Sequence, residues 1–224
     1  IKLVIGTFLA FVFIGYFRMW DETMSTIAII LTSVIMSVVI GLPTGIAMSR
    51  SDRTQSIVTP ILDVMQTMPP FVYLIPIVML MGIGKIPGLI AVVIYAIPPL
   101  IRLTNLGIRE VDKEALEAAD AFGATKKQKL YQVQLPLALP TIFAGINQTI
   151  MMALAMVIIA SMIGVKGLGQ PVLQSIYNQY FTKGVLYGLA IVIVAIVFDR
   201  VSQSYGQRIP VSYTHLTLPT IDPV

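Results

Sequence analysis

A charged segment between two apolar stretches carries the most distinctive spacing of side chains in this sequence. It begins at Glu114 and reads EALEAADAFGATKKQKLYQVQLPLALP. Glu114, Glu117 and Ala118 share one side of a helix, because residues three or four positions apart are neighbours on a helical surface. Gly123 can end that helix in a left-handed turn, and Thr125 can cap a second helix. The segment therefore predicts two short helices at about a right angle.

The chemistry that this segment suggests is binding rather than catalysis. Ala118, Ala119 and Ala121 form a patch of small residues, which lets another surface come close. The residues allow two interpretations. The first is an amphipathic helix resting on lipid head groups, and the second is a knob that docks on another protein. The pattern by itself favours neither.

Several kinds of catalytic site are excluded by composition. The chain of 224 residues has no cysteine, and its single histidine is His215. A thiol nucleophile, a disulfide, a histidine triad and a Cys- or His-based metal centre within one chain are therefore ruled out. The sequence GVKGLGQ at residues 164–170 has glycines spaced as in a phosphate loop but lacks the Gly-Lys-Ser/Thr ending. We expect no enzyme, no metal site and no cofactor in this chain, and any ATP with its Mg²⁺ must be bound and hydrolysed by a partner.

The elements that must position this segment are membrane helices. Only 12% of the residues are charged, the mean hydropathy is +0.86, and soluble domains carry about 25% charged residues. A spanning helix needs about 20 apolar residues. The sequence predicts an all-α polytopic bundle with about five to six spans, at residues 1–17, 24–48, 57–84, 87–107, 136–163 and 184–198. The net charge of +4 calls for no nucleic-acid partner.

Prolines predict where these helices break. Pro69-Pro70 should split the third stretch into a helix ending at Thr67 and a spanning half, and Pro98-Pro99 should interrupt the fourth. Pro136 should open the fifth span, where a missing N–H costs nothing. Residues 165–182 are polar and too short to span, which predicts a re-entrant or surface segment.

Residues 1–208 form the predicted transmembrane domain, and residues 209–224 read as a non-native or disordered tail. The tail, IPVSYTHLTLPTIDPV, has three prolines and no helical period. The chain begins with Ile1 rather than Met, which predicts a fragment without its natural start.

Basic residues predict the orientation, since they are held on the cytoplasmic side of a membrane. With the charged loop inside and the spans alternating, the cytoplasmic side receives Lys2, Arg50, Arg53, Arg102, Arg109, Lys113, Lys126, Lys127, Lys129, Arg200 and Arg208. The opposite side receives only Arg18, Lys85, Lys166 and Lys183. We therefore expect the loop and the C-terminus in the cytoplasm.

The charged loop resembles the EAA loop of ABC-transporter permeases, here at residues 112–136. The matching positions are Glu117, Ala118, Ala119, Gly123, Val133, Leu135 and Pro136. Val133 stands where the pattern has Ile, a conservative departure. The resemblance implies a coupling helix that enters a groove on an ATP-binding cassette subunit.

The resemblance extends over residues 24–206, to the permeases of glycine betaine/proline betaine importers. LDVMQTMPPFVYLIPIVMLMGIG and AGINQTIMMALAMVIIASMIGVKGLGQ carry it. It implies the type I ABC importer permease fold in the cytoplasmic membrane, a second permease copy, an extracytoplasmic binding protein and osmoprotection as the role. Choline, carnitine or an amino acid are alternative cargoes, and an ion-coupled secondary carrier is a competitor of another class.

The implied cargo directs attention to polar and aromatic residues within the spans. Aromatic faces bind quaternary ammonium groups, so Phe71, Tyr73 and Tyr95 are pathway candidates, although packing explains them too. Asn147 and Gln148 either bond to a neighbouring helix or line the pathway. The full set of pathway candidates is Phe71, Tyr73, Tyr95, Asn147, Gln148 and Met151. Asp63 is an intramembrane carboxylate, which we expect to cap a short helix at the interface.

Overall fold

The structure is a computed structural model that describes residues 2–206. The described chain contains helices joined by short turns, and no strand occurs between residues 2 and 206. In chain order the elements are α1 Lys2–Tyr16, α2 Trp20–Arg50, α3 Asp52–Thr67, α4 Pro70–Met81, α5 Lys85–Arg109, α6 Lys113–Ala121, α7 Lys126–Gln128, a π-helical turn Lys129–Gln134, α8 Leu135–Ser161, α9 Gly169–Tyr177 and α10 Phe181–Gly206. The predicted tail at 209–224 lies outside the described residues.

Four helices among the described residues are long and apolar enough to cross a membrane. They are α2, α5, the continuous helix from Lys126 to Ser161, and α10. The pair α3 and α4, bent by 97° at its break, makes a fifth span if it is counted as one. α1 is apolar but shorter. The predicted all-α polytopic bundle is confirmed.

The bundle is built around α5, which packs between α2 and α8. Glycines let the backbones approach, as is common where membrane helices meet. A Cβ atom added at Gly45 of α2 would lie 2.6 Å from the Cβ of Thr104 in α5. A Cβ added at Gly107 of α5 would lie 2.8 Å from that of Thr141 in α8. Ala91, Ala96 and neighbouring α5 residues are buried.

The predicted break at Pro69-Pro70 is confirmed, because α3 ends at Thr67 and α4 begins at Pro70. A residue that precedes proline is pushed toward extended backbone. Met68 has ψ 129° and Pro69 has ψ 139°, so both are extended. The chain therefore turns sharply between the two helices.

The predicted interruption at Pro98-Pro99 is wrong, because α5 runs unbroken from Lys85 to Arg109. Both prolines are buried, with α2 and α8 packed on the helix. Spanning helices tolerate proline where neighbouring helices shelter the freed backbone groups. Tertiary packing has overridden the local preference here.

Pro136 opens α8 as predicted, since it is the second residue of Leu135–Ser161. The helical segment is nevertheless continuous from Lys126 to Ser161, so α8 follows the preceding turn without a break. The wider turn Lys129–Gln134 comes just before the proline, and the Leu135 N–H donates to the Leu130 carbonyl five residues back. This π-helical insertion shifts the hydrogen-bond ladder at the point where proline has no N–H to offer.

Candidate functional site

The exposed helix α6 has well-defined caps at both ends. Asp112 accepts a hydrogen bond at 3.0 Å from the Glu114 N–H. At the other end Gly123 has φ +75°, and the Ala124 N–H donates to the Ala119 carbonyl at 3.0 Å. The Gly123 N–H also donates to the Asp120 carbonyl at 2.9 Å. These two hydrogen bonds form a Schellman turn. The predicted left-handed stop at Gly123 is confirmed.

The surface of α6 presents a carboxylate, small side chains and one aromatic ring. Glu117, Ala118 and Gly123 are exposed, and Ala119 is half-buried. Phe122 is 92% exposed at the end of the helix, a feature that sequence reasoning missed. An aromatic residue directly before the helix-ending glycine of a charged loop was the available signal. The Phe122 ring therefore lies on the surface at the C-terminal end of α6.

Contacts on both sides of the turn attach α6 to the membrane helices. The Lys129 ammonium pairs with the Asp120 carboxylate at 2.5 Å. Thr125 and Gln128 form a capping box at the start of α7, which confirms Thr125 as an N-cap. Leu130 is only 1% exposed and packs with Ile108 of α5. These contacts connect the turn after α6 to α5 and α8.

The second half of the motif lies away from the exposed surface of α6. Val133 is half-buried within the π-helical turn. Leu135 is half-buried and Pro136 exposed at the start of α8. The structure thus divides the motif, with Glu117, Ala118, Ala119 and Gly123 at the exposed end and the remaining three residues where the helix enters the bundle.

Two arginines of α5 hold the amphipathic helix α3. Arg102 pairs with Asp63. Arg109 pairs with Asp52 at 2.6 Å and also donates to the Met48 carbonyl at 3.0 Å. The expectation that Asp63 caps a helix is wrong, because it lies inside α3 and the Ser51 hydroxyl caps that helix instead.

The aromatic pathway candidates are divided between core and surface. The Tyr73 hydroxyl lies 4.0 Å from the Met156 sulfur, and Tyr73 and Tyr95 are both half-buried against the main core. Phe71 is 47% exposed on α4. The two tyrosines therefore meet the bundle interior, whereas Phe71 does not.

The polar candidates on α8 face different directions. Asn147 donates to an Asp199 carboxylate oxygen of α10 at 3.2 Å, and Gln203 donates to the same carboxylate at 2.8 Å. Of the two alternatives for Asn147, the structure shows the bond to a neighbouring helix. Gln148 is exposed and Met151 is 39% exposed, so these two face outward from the single chain.

Comparison with known sequences identifies one family. The family described as "Binding-protein-dependent transport system inner membrane component" matches residues 37–210. The chain is 51% identical over 203 residues to the glycine betaine/proline betaine transport system permease protein ProW of Salmonella typhimurium, covering 91% of this chain and 57% of that protein. It is 50% identical over 202 residues to the glycine betaine transport system permease protein OpuAB of Bacillus subtilis, covering 90% of this chain and 72% of that protein. The chain thus spans little more than half the length of the Salmonella relative.

A more distant relative and a solved structure extend the comparison. The choline transport system permease protein OpuBB of Bacillus subtilis is 33% identical, over 80% of this chain and 83% of that protein. An inward-facing structure of the MetNI methionine ABC transporter superposes with a TM-score of 0.79 at 21% identity. The superposition covers 87% of this chain and 97% of the other. At this identity the match speaks for the fold alone, which is that of type I ABC importer permeases.

Proposed function

The chain belongs to the inner-membrane components of binding-protein-dependent transport systems, a family of multi-pass membrane proteins, and from that premise we propose that it forms the translocation pathway of a glycine betaine or proline betaine importer. The observation that carries the proposal is the exposed, doubly capped helix α6 with the full EAA spacing. The half-identical betaine permeases supply the cargo class.

The partner that drives transport is an ATP-binding cassette subunit seated on α6. Glu117 offers a charged contact, the alanines permit close approach, and Phe122 provides an apolar anchor that is 92% exposed. ATP and Mg²⁺ are bound by that subunit. Closure of two such subunits pulls the α6 helices together, and Leu130 passes the movement to α5 and α8.

Two copies of this chain enclose the pathway in the proposed assembly. The broken pair α3 and α4 leaves extended backbone at Met68 and Pro69, and such backbone at membrane depth needs protein or a water-filled cavity beside it. Several α4 side chains are exposed in the single chain; Met79 is 81% exposed and Leu80 is 86% exposed. α4 and the outward face of α8, with Gln148 and Met151, are the proposed lining.

The proposed location is the cytoplasmic membrane, with α6 and the C-terminal end of α10 in the cytoplasm. The distribution of basic residues supports this orientation. An extracytoplasmic binding protein delivers the betaine from the opposite side. Phe71, which is 47% exposed on α4, offers an aromatic face to the ammonium group as it passes.

The proposal is tested by transport in proteoliposomes that contain the complete permease, its ATP-binding subunit and its binding protein. Uptake of radiolabelled glycine betaine should require ATP and stop when Phe122→Ala removes the anchor. Tyr131→Ala is the matched control, because Tyr131 is an exposed aromatic residue outside α6 and is 57% exposed. It should transport normally.

The same assay separates the competing functions. ATP-dependent uptake of choline or carnitine without betaine uptake would reassign the cargo while leaving the ATP-driven mechanism intact. Uptake that persists without the ATP-binding subunit and responds to an ion gradient would identify a secondary carrier and refute the proposal.

A further inference from the structure

An apolar groove lies between α1 and α10 and has a volume of about 720 Å³. Gly6, Ala10 and Phe13 line it from α1, and Ile196 lines it from α10. Among the residues whose side chains the structure describes, Arg200 is the charged one in its lining. A Cβ atom added at Gly6 would meet no atom within 4 Å, so the groove is open space rather than a tight helix contact.

Arg200 lies where the apolar part of α10 ends. Residues 184–198 carry no charge, and Asp199 and Arg200 follow them. The Asp199 carboxylate is occupied by Asn147 and Gln203. Arg200 is exposed and forms no ion pair with any residue between 2 and 206. An arginine at the edge of the hydrocarbon region favours an anionic partner.

We propose that this groove binds an anionic phospholipid, with one acyl chain between α1 and α10 and the phosphate at Arg200. An apolar channel that ends in an unpaired guanidinium matches an amphiphile with a charged head and a hydrocarbon tail. Ile193 and Arg200 both line the groove and are about 10 Å apart along the helix. That length is most of the ~15 Å depth of one leaflet's hydrocarbon region.

The bound lipid would complete the packing of α1. Val4, Ile5 and Phe8 of this helix are more than half exposed, so α1 presents much of its apolar surface outside the bundle. An acyl chain in the groove adds apolar contact to both helices. The inference needs only a membrane-spanning chain and does not depend on the cargo.

The test measures lipid binding at the groove in the assembled transporter. The chain has no native cysteine, so Ile196→Cys allows a single bimane label at the groove. The probes are doxyl-labelled phosphatidylglycerol and doxyl-labelled phosphatidylcholine, titrated into nanodiscs of unlabelled phosphatidylcholine. We expect phosphatidylglycerol to quench with about fivefold higher affinity, the size of one Arg–lipid charge contact at a membrane surface.

Variants in the same labelled background separate the head-group contact from the groove. Arg200→Gln should abolish the preference, and Arg53→Gln, at an exposed arginine outside the groove lining, should keep it. Gly6→Leu should reduce quenching by both lipids, because the side chain grows into the groove. Equal affinities for the two lipids, or a preference that survives Arg200→Gln, would overturn the proposal. Absence of quenching by either lipid would also overturn it, since a polypeptide segment or second copy would then fill the groove.

Discussion

At the scale of single residues, a few positions combine roles that their side-chain type alone does not reveal. Gly123 is needed for its backbone angle rather than for space, since φ is +75° and no atom lies within 4 Å of an added Cβ. Arg109 connects three elements, because it bonds to Asn105 on its own helix, to Met48 of α2 and to Asp52 of α3.

The backbone angle at Gly123 predicts a selective defect. Gly123→Val should lose most coupling between ATP hydrolysis and uptake, because a β-branched residue at positive φ costs about 1–3 kcal/mol and will reshape the turn. Gly123→Asn is the control, since asparagine tolerates this angle, and it should retain coupling. The measurement is substrate-stimulated ATP turnover of the purified complex, and normal coupling in the valine variant would contradict the assignment.

The three bonds of Arg109 predict that substitutions at Arg109 and at Asp52 lower the unfolding free energy by different amounts. Arg109→Met should lower the unfolding free energy by about 2–3 kcal/mol, because it strips a charged donor from the Met48 carbonyl and from Asn105. Asp52→Asn should change it by less than about 1 kcal/mol, since the Asp52 side chain is 90% exposed. Thermal unfolding of the purified permease measures both, and equal losses would show that the ion pair dominates.

At the scale of elements, helix contacts are set by small residues and by one irregular turn. α2, α5 and α8 approach through glycines that leave no room for a methyl group. The π-helical turn before Pro136 keeps residues 126–134 continuous with α8, whereas the turn at Gly123 separates α6 from that helix.

The close approach of α2 and α5 predicts the effect of adding one methyl group. Gly45→Ala should destabilise the permease by about 1–3 kcal/mol through overpacking, since the new Cβ would lie 2.6 Å from the Thr104 Cβ. Gly188→Ala in α10 is the matched control, because its Cβ would meet nothing within 4 Å. It should be neutral or stabilise by up to about 1 kcal/mol. The thermal unfolding midpoints of the Gly45→Ala and Gly188→Ala variants measure the effect. Similar shifts in both variants would argue against a steric contact at Gly45.

At the scale of the whole molecule, the single chain exposes both apolar and polar side chains on α4 and α8. Met79 and Leu80 of α4 and Gln148 of α8 are exposed, whereas Tyr73 and Tyr95 pack on the core. A polar side chain such as Gln148 is costly against lipid. This arrangement fits a water-filled pathway between two copies.

The proposed pathway predicts which introduced cysteines react with a water-soluble thiol reagent. Met79→Cys and Gln148→Cys in the assembled transporter should react with a membrane-impermeant thiol reagent, and trapping the ATP-bound state should change both rates. Ile35→Cys is the control, because Ile35 is 61% exposed on α2 and a lipid-facing thiol ionises poorly. Reaction at Ile35 with protection of Gln148 in every state would reverse the assignment of the pathway.

The sequence by itself determined the membrane class, the helical bundle and the two capped helices of the charged loop. These follow from local or additive properties, namely hydropathy over about 20 residues, the capping chemistry of Thr125 and Gly123, and the spacing of the motif. The break at Pro69-Pro70 was equally predictable, because a residue before proline is pushed toward extended backbone and neither Met68 nor Pro69 is buried.

Only the tertiary structure decided the backbone conformation at Pro98-Pro99 and the bonding partners of Asp63 and Asn147. Pro98 and Pro99 stay helical since both are buried in a helix held between α2 and α8. Asp63 pairs with Arg102, 39 residues away, and Asn147 bonds to Asp199, 52 residues away. No local pattern encodes such partners, because they depend on which helix faces meet, and that is set by the total packing of the bundle.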